Sequence, residues 1–174
     1  MIRKATEKDI SAVAGIYDEI LSIEETTGGT RTGWIRGIYP TEQTATDALA
    51  RGTLFVCEDG GEIVAAAKID QTQVREYADC EWQYAAADDE VMVLHTLVVK
   101  PQSSKRGYGK AFIDFYESYA LENGCRYLRM DTNKTNLVAR EMYKRLGYRE
   151  AGIVTSTFNG IPDVSLVCLE KALG

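Results

Sequence analysis

The run Val91-Met92-Val93-Leu94-His95-Thr96-Leu97-Val98-Val99 constrains this chain more than any other stretch. It is rich in β-branched residues and nearly free of polar ones, which suits a central strand buried on both faces. It is too short to span a bilayer, and His95 and Thr96 interrupt it. A strand covered on both sides needs helices or loops packed over each face. The residues after it fit that demand. Lys100 and Pro101 end the strand, and Gln102 to Lys110 form a small cationic loop with two glycines. Ala111, Phe112, Phe115, Tyr116, Tyr119 and Ala120 then recur as on an amphipathic helix, which Asn123-Gly124 ends.

The rest of the chain supplies the partners. Ile2 to Ala5 reads as a short strand. Thr6 reads as an N-cap, and Ile10, Val13, Ala14, Tyr17, Ile20 and Leu21 at helical spacing carry a helix to about Ser22. Glu24 to Pro40 reads as a long connection, through Thr26, Thr27, Gly28, Gly29 and Thr30 to Arg31, Gly33, Trp34, Arg36 and Tyr39; connections of that length are functional or mobile. Thr41 caps a second helix with Ala45, Ala48 and Leu49 inward, ended by Gly52. Thr53 to Cys57 and Glu62 to Ile69 form a hairpin about Asp59-Gly60-Gly61. Residues 72–90, with Trp82, Tyr84 and the acidic run Asp88-Asp89-Glu90, give no periodic signal. Tyr127 to Asp131 reads as a strand, Asn136 to Leu146 as a helix stopped by Gly147, and 148–157 and 163–169 as strands about Asn159-Gly160. The order β-α-α-β-β-β-α-β-α-β-β mixes hairpins with crossovers. It predicts an α+β fold with a mixed sheet of about seven strands in one domain, residues 1–174, with no internal repeat.

The loop after the central strand has the chemistry of an anion cradle. Backbone N–H groups of a loop and of a helix's first turn lack internal partners, and the helix dipole favours negative charge there. Gly107 and Gly109 let the backbone approach a bulky phosphate without a Cβ in the way. Lys105, Arg106 and Lys110 add countercharge. Two glycines in a βα turn also occur without a ligand. The loop lacks the lysine-serine/threonine ending of a P-loop and the Gly-x-Gly-x-x-Gly of a dinucleotide site.

The stretch resembles the coenzyme A pyrophosphate loop of the GNAT N-acetyltransferases, whose pattern is Arg/Gln-x-x-Gly-x-Gly/Ala. Gly107 and Gly109 match it, while Ser104 stands where the family has Arg or Gln. A second stretch, Asp131-Thr132-Asn133, Asn136, Ala139, Met142-Tyr143-Lys144 and Leu146-Gly147-Tyr148, resembles the family's Asn-x-x-Ala-x-x-x-Tyr-x-x-x-Gly-Phe motif. The resemblance implies a three-layer α/β/α fold and transfer of an acetyl group from acetyl-coenzyme A to a primary amine in a ternary complex. It implies that Ser104, Lys105, Arg106, Gly107, Tyr108, Gly109 and Lys110 hold the pyrophosphate. Leu97, Val98 and Val99 would offer backbone groups to pantetheine where the strand splays from its neighbour, with Asn136 and Ala139 beside that arm. Tyr143 would give its proton to the departing thiolate.

The base is less determined. Many family members keep a glutamate on the central strand, near Val93 here. His95 is the chain's single histidine, and strand alternation would put it on the face of Val93 and Leu97. A histidine bonded within the sheet, with water relayed to Glu90, is the alternative. Glu24, Glu25, Arg31, Trp34, Arg36 and Tyr39 are candidates for the acceptor site: acids for an ammonium, arginines for a substrate carboxylate. A solvated loop with Trp34 packed on the body is the plainer reading. The acceptor reads as a small molecule or amino acid; a protein lysine or N-terminal amine, or a silent acyl-coenzyme A-binding module, are the rivals.

Charge and cysteine usage bound the partners. A net charge of −6 disfavours a broad nucleic-acid surface. Cys57, Cys80, Cys125 and Cys168 form no Cys-x-x-Cys pair, so a metal site is not expected and free thiols are. No apolar leader follows Met1 and no stretch suits a membrane span, so a cytoplasmic location is expected. The reading leaves room for a homodimer.

Overall fold

The computed structural model describes residues 1–29 and 31–174; Thr30 of the long connection lies outside the described residues. Among them the order is β1 (Ile2–Lys4), α1 (Ile10–Thr27), α2 (Glu42–Ala50), β2 (Leu54–Asp59), β3 (Glu62–Asp70), β4 (Val91–Val99), α3 (Tyr108–Glu122), β5 (Tyr127–Asn133), α4 (Leu137–Arg145), β6 (Arg149–Phe158) and β7 (Ile161–Ala172). Short 3-10 turns fill Glu7–Asp9, Arg75–Asp79, Asp88–Glu90 and Pro101–Ser103. The seven strands run β1-β2-β3-β4-β5-β7-β6 in one sheet. β4 and β5 are parallel, whereas β1–β2, β2–β3, β5–β7 and β6–β7 are antiparallel. The sheet is therefore mixed and the class α+β, as the element order predicts.

The chain divides into two compact units. The first comprises Met1–Gly29, Trp34–Ile69 and His95–Phe115. Its core joins Val13, Ile16 and Tyr17 of α1, Ala45 and Ala48 of α2, Leu54 and Val56 of β2, Ile63 and Ala66 of β3, and Val98 of β4. Thr6 caps a 3-10 turn that leads into α1, not α1 itself: its backbone N–H donates to Asp9 Oδ2 at 2.7 Å. Arg3 clamps the same carboxylate at 2.8 and 3.0 Å, fastening β1 to the start of the helix. α1 runs to Thr27, past the Ser22 end that its apolar pattern gives. In the extra turn Thr26 and Thr27 donate their hydroxyls back to Ser22 O and Ile23 O, and Gly28 then ends the helix at φ 66°.

The second unit comprises the described part of Thr30–Gly33, Asp70–Leu94 and Tyr116–Gly174. Tyr77, Val91, Val93 and Cys168 form one of its buried clusters, with Val74, Cys80, Trp82 and Val154 packed against it. Here the uninformative residues 72–90 find their order. Trp82 Nε1 donates to Tyr77 O at 2.7 Å, and Tyr77 donates its hydroxyl to Asp131 at 2.7 Å. Buried Arg129 of β5 lies 4.2 Å from the Trp82 ring centroid, donates to Tyr84 O at 3.1 Å and bonds Gln73. Buried Glu170 of β7 accepts from the Gln83 backbone N–H at 2.8 Å and from Arg149 at 2.6 Å. A buried charge needs such partners to persist.

Candidate functional site

In the first unit the site is built on the second half of β4. The parallel ladder to β5 covers Val91 to Leu94 and stops there, while β5 goes on pairing with β7 as far as Asn133. The register of β4 with β5 thus ends one residue before His95. Thr96 follows with φ 52°, a conformation costly for a β-branched residue and characteristic of functional backbone. The alternation expected to run from Val93 through His95 to Leu97 is broken at this point. Nothing in the sequence signals the bend, since threonine is an ordinary strand former. Val98 is anchored in the core, and Lys100 N donates to Val64 O at 2.8 Å, so the end of the strand is held.

The cradle comes directly after. Ser104 is extended and its N–H donates to Pro101 O at 3.1 Å, closing the preceding turn, while Lys105 is left-handed at φ 63° and Gly107 at φ 89°. The first helical bond of α3 runs from Ala111 N to Gly107 O at 2.9 Å, leaving the earlier N–H groups of the turn without a helical acceptor. A Cβ built on Gly107 meets nothing within 4 Å, so this position opens to solvent. Lys105, Arg106 and Lys110 are exposed. Arg106 lies 3.9 Å from Asp59 and Lys110 2.6 Å from Asp114, and Tyr108 bonds Asp59. Surface pairs of this kind are weak and can yield to a phosphate. Open backbone donors at a helix start with exposed cations fit a pyrophosphate.

The acceptor candidates separate into groups. Trp34 stands edge-on between Tyr17 and Tyr39, with ring centroids 6.5 and 6.2 Å apart. Tyr39 shares a hydrogen bond with Thr96 Oγ1, tying the long connection to the bend in β4. Glu24 and Glu25 lie within α1, not in the loop, and Glu24 is buried. Arg36 is engaged elsewhere: its guanidinium bonds Glu25 at 2.9 Å, Ser22 at 2.8 Å and Asp18 on the exposed side of α1. These are exposed pairs of the same kind as those around the loop.

The second unit holds the other motif. Asn136 is the N-cap of α4, its side chain accepting from Ala139 N at 3.3 Å, so it precedes the helix instead of lying on its face. Tyr143, one turn beyond Ala139, is 6% exposed and packs edge-on to Tyr148 at 6.0 Å. Its hydroxyl makes no hydrogen bond among the described residues. Burial and then nearby Asp131 push its ionisation well above the ordinary tyrosine range, keeping the proton in place. Residues 31–33 belong here. Thr135 Oγ1 donates to Arg31 O at 3.4 Å, and Gly33, at φ 71°, passes so close to Asn133 that a Cβ would fall 2.2 Å from Nδ2. Glu90 closes a 3-10 turn and accepts from Ala87 N at 3.1 Å.

Among the described residues no cluster of three or more metal-ligating side chains occurs, and no helix is long and apolar enough to cross a membrane. Comparison with known proteins agrees with the fold. The acetyltransferase (GNAT) family model matches residues 17–148. An uncharacterized N-acetyltransferase of Methanocaldococcus jannaschii is 33% identical over 100 residues, 58% of this chain and 40% of that protein's length. Among solved structures, a GNAT-family acetyltransferase from Streptococcus agalactiae superposes with a TM-score of 0.80 at 20% identity, covering 100% of this chain and 95% of that one. A ribosomal-protein-alanine N-acetyltransferase from Brucella melitensis gives a TM-score of 0.72 at 19% identity, covering 99% of each chain.

Proposed function

This chain belongs to the acetyltransferase (GNAT) family, and on that premise we propose that it transfers an acetyl group from acetyl-coenzyme A to the primary amine of a small molecule or amino acid. The observation that carries the reading is the stretch from Lys105 to Lys110, with left-handed Lys105 and Gly107, which precedes the first helical bond of α3 from Ala111 N to Gly107 O. Bound acetyl-coenzyme A supplies an acetyl thioester that a neutral amine attacks directly. The loop N–H groups and the cations Lys105, Arg106 and Lys110 bind the pyrophosphate. Backbone groups of Leu97, Val98 and Val99, beyond the point where the β5 ladder ends, orient the pantetheine arm and place an N–H at the developing oxyanion. His95 takes the proton that the ammonium must lose. Tyr143 holds a proton on a hydroxyl that is unbonded among the described residues and gives it to the departing thiolate. Asn136 and Ala139, which form the start of α4, flank that arm.

Trp34 and Tyr39 form an aromatic wall beside the bend at Thr96, and buried Glu24 adds an acid to the same unit. That composition suits a compact amine with an apolar body. A reducing cytoplasm agrees with the four free cysteines. The test is thiol release from acetyl-coenzyme A against a panel of amino acids, small amines and peptides. Turnover with free amino acids or small amines supports the proposal. Turnover with peptides alone moves the acceptor to a protein, and thermal stabilisation by acetyl-coenzyme A without turnover on any amine makes the chain a binding module.

A further inference from the structure

Two cysteines far apart in sequence are brought side by side in the second unit, and neither takes part in the chemistry above. Cys168 of β7 is fully buried. It pairs across the sheet with Gly152 of β6 and, on the other side, with Asp131 of β5. Directly paired residues share a face, so the Cys168 side chain rises next to the one β6 position that has no side chain. The space over that glycine is taken by Cys80: a Cβ built on Gly152 would meet the Cys80 Cα at 3.8 Å. The segment is pinned there by the Glu81 N–H, which donates to Ala151 O at 3.0 Å. Cys80 packs against the cluster of Tyr77, Val91 and Val93 to which Cys168 belongs. Both are free thiols; Cys80 keeps partial exposure and Cys168 has none.

The two cysteines are neighbours in one packed cluster, Cys80 over the residue paired to Cys168. Paired antiparallel residues have Cα atoms about 4.5–5.5 Å apart, and Cys80 stands in van der Waals contact with the Cβ position of the residue paired to Cys168. Disulfides accept Cα separations of about 4.4–6.8 Å. We propose that Cys80 and Cys168 are a redox modification site, which a hydroperoxide closes to a disulfide and a small-molecule thiol reopens. Thiol pairs of this kind in a reducing compartment serve as transient redox sites.

The chemistry balances without another reactant. The Cys80 sulfur attacks one oxygen of hydrogen peroxide; an S–O bond forms, the O–O bond breaks, and the second oxygen leaves as water with the proton lost by the Cys80 thiol. The Cys168 sulfur then attacks the Cys80 sulfenic acid. The S–S bond forms, the S–O bond breaks, and the hydroxyl departs with the Cys168 proton as a second water. Two thiols are oxidised by two electrons and one peroxide is reduced. Exposure makes Cys80 the attacking sulfur. Burial raises both thiols, Cys168 above all, which assigns Cys168 the resolving role.

The test uses the folded full chain treated with hydrogen peroxide, then blocked and digested with trypsin without reduction. Trypsin, which does not cut between Lys100 and Pro101, puts each cysteine in its own peptide: 52–68, 76–105, 111–126 and 150–171. The expected product is peptide 76–105 linked to 150–171, with the titratable thiols falling from four to two and dithiothreitol restoring them. Cys80→Ser, at a partly exposed position, is expected to abolish the link with the fold retained by circular dichroism. Unfolding of Cys168→Ala, at a buried position, would not alter the result read from the wild type. Four intact thiols at peroxide excess, Cys80 found only as sulfinic or sulfonic acid, or a link to Cys57 or Cys125 would each overturn the proposal.

Discussion

Replacing Gly107 with alanine separates the cost to the fold from the cost to the ligand. Gly107 has φ 89°, and a left-handed conformation costs an L-residue roughly 1–2 kcal/mol. The built Cβ meets nothing within 4 Å, so no clash adds to that strain. In a chain of 174 residues each kcal/mol moves Tm by about 2–4 °C, so the ligand-free protein is expected to melt about 2–8 °C lower. Acetyl-coenzyme A at a hundredfold excess over its Kd adds about 2.7 kcal/mol to the wild type, a rise of about 5–11 °C. In Gly107→Ala the new methyl stands where the pyrophosphate approaches, so most of that rise is expected to vanish. Gly124→Ala is the matched control. It has φ 76°, its Cβ also meets nothing, and it lies beyond the C-terminal end of α3. It is expected to lose a similar baseline and keep the full rise. Scanning fluorimetry with and without acetyl-coenzyme A measures both quantities. Equal rises in the two variants would refute the cradle. A ligand-free loss in Gly107→Ala well beyond about 8 °C would refute the open-space argument.

Tyr143→Phe is expected to lower turnover by ~10²–10⁴-fold while the coenzyme-induced rise in Tm stays intact, read by thiol release with chemistry rate-limiting. Because burial raises the Tyr143 ionisation, that hydroxyl is not expected to set a basic limb in the pH profile. Tyr39→Phe loses the bond to Thr96 and is expected to reduce kcat/KM about fivefold, the equivalent of ~1 kcal/mol. His95→Gln is expected to lower kcat/KM by ~10²–10⁴-fold, measured by thiol release, and an unchanged kcat/KM removes His95 from the mechanism. Arg3 holds the Asp9 carboxyl at about 2 against an ordinary 3.8. Its folded value is depressed, so the associated stability is present above pH 3.8 and is lost as pH falls toward 2. Urea midpoints across that window should fall in the wild type and stay flatter in Asp9→Asn.

What was legible in the sequence came from local physics. The span of β4 is carried by its own β-branched run, and the hairpin between β2 and β3 by Gly60 and Gly61, both left-handed at φ 58° and 81°. Helix α2 starts where Thr41 caps it and stops before Gly52. The end of α1 was not legible, because the polar residues past Ser22 look like a loop until their hydroxyls are seen bonding back into the helix. Residues 72–90 were silent because their partners, Arg129, Asp131 and Glu170, belong to strands far along the chain. Near the loop, the sequence places Gly107 in a turn that leads into a helix, and Gly107 is left-handed at φ 89° just before α3. The bend at Thr96 could not be read, since it is imposed by the strand's surroundings and not by the residue's preference. The engagement of Arg36 by Asp18 and Glu25 was likewise a matter of which face of α1 the loop crosses.

The way residues 72–90 are held has a consequence for protein engineering. The segment's contacts are owed to its floor: Trp82 rests on Arg129, and the backbone N–H of Gln83 depends on Glu170. It is therefore not a portable cassette. Transplanted onto another scaffold of the same architecture, it would arrive without instructions, and would fold only if those two strand residues travelled with it. The reverse also holds. A host strand altered at either position would unmake a surface it never shows to solvent, with every residue of the segment itself unchanged.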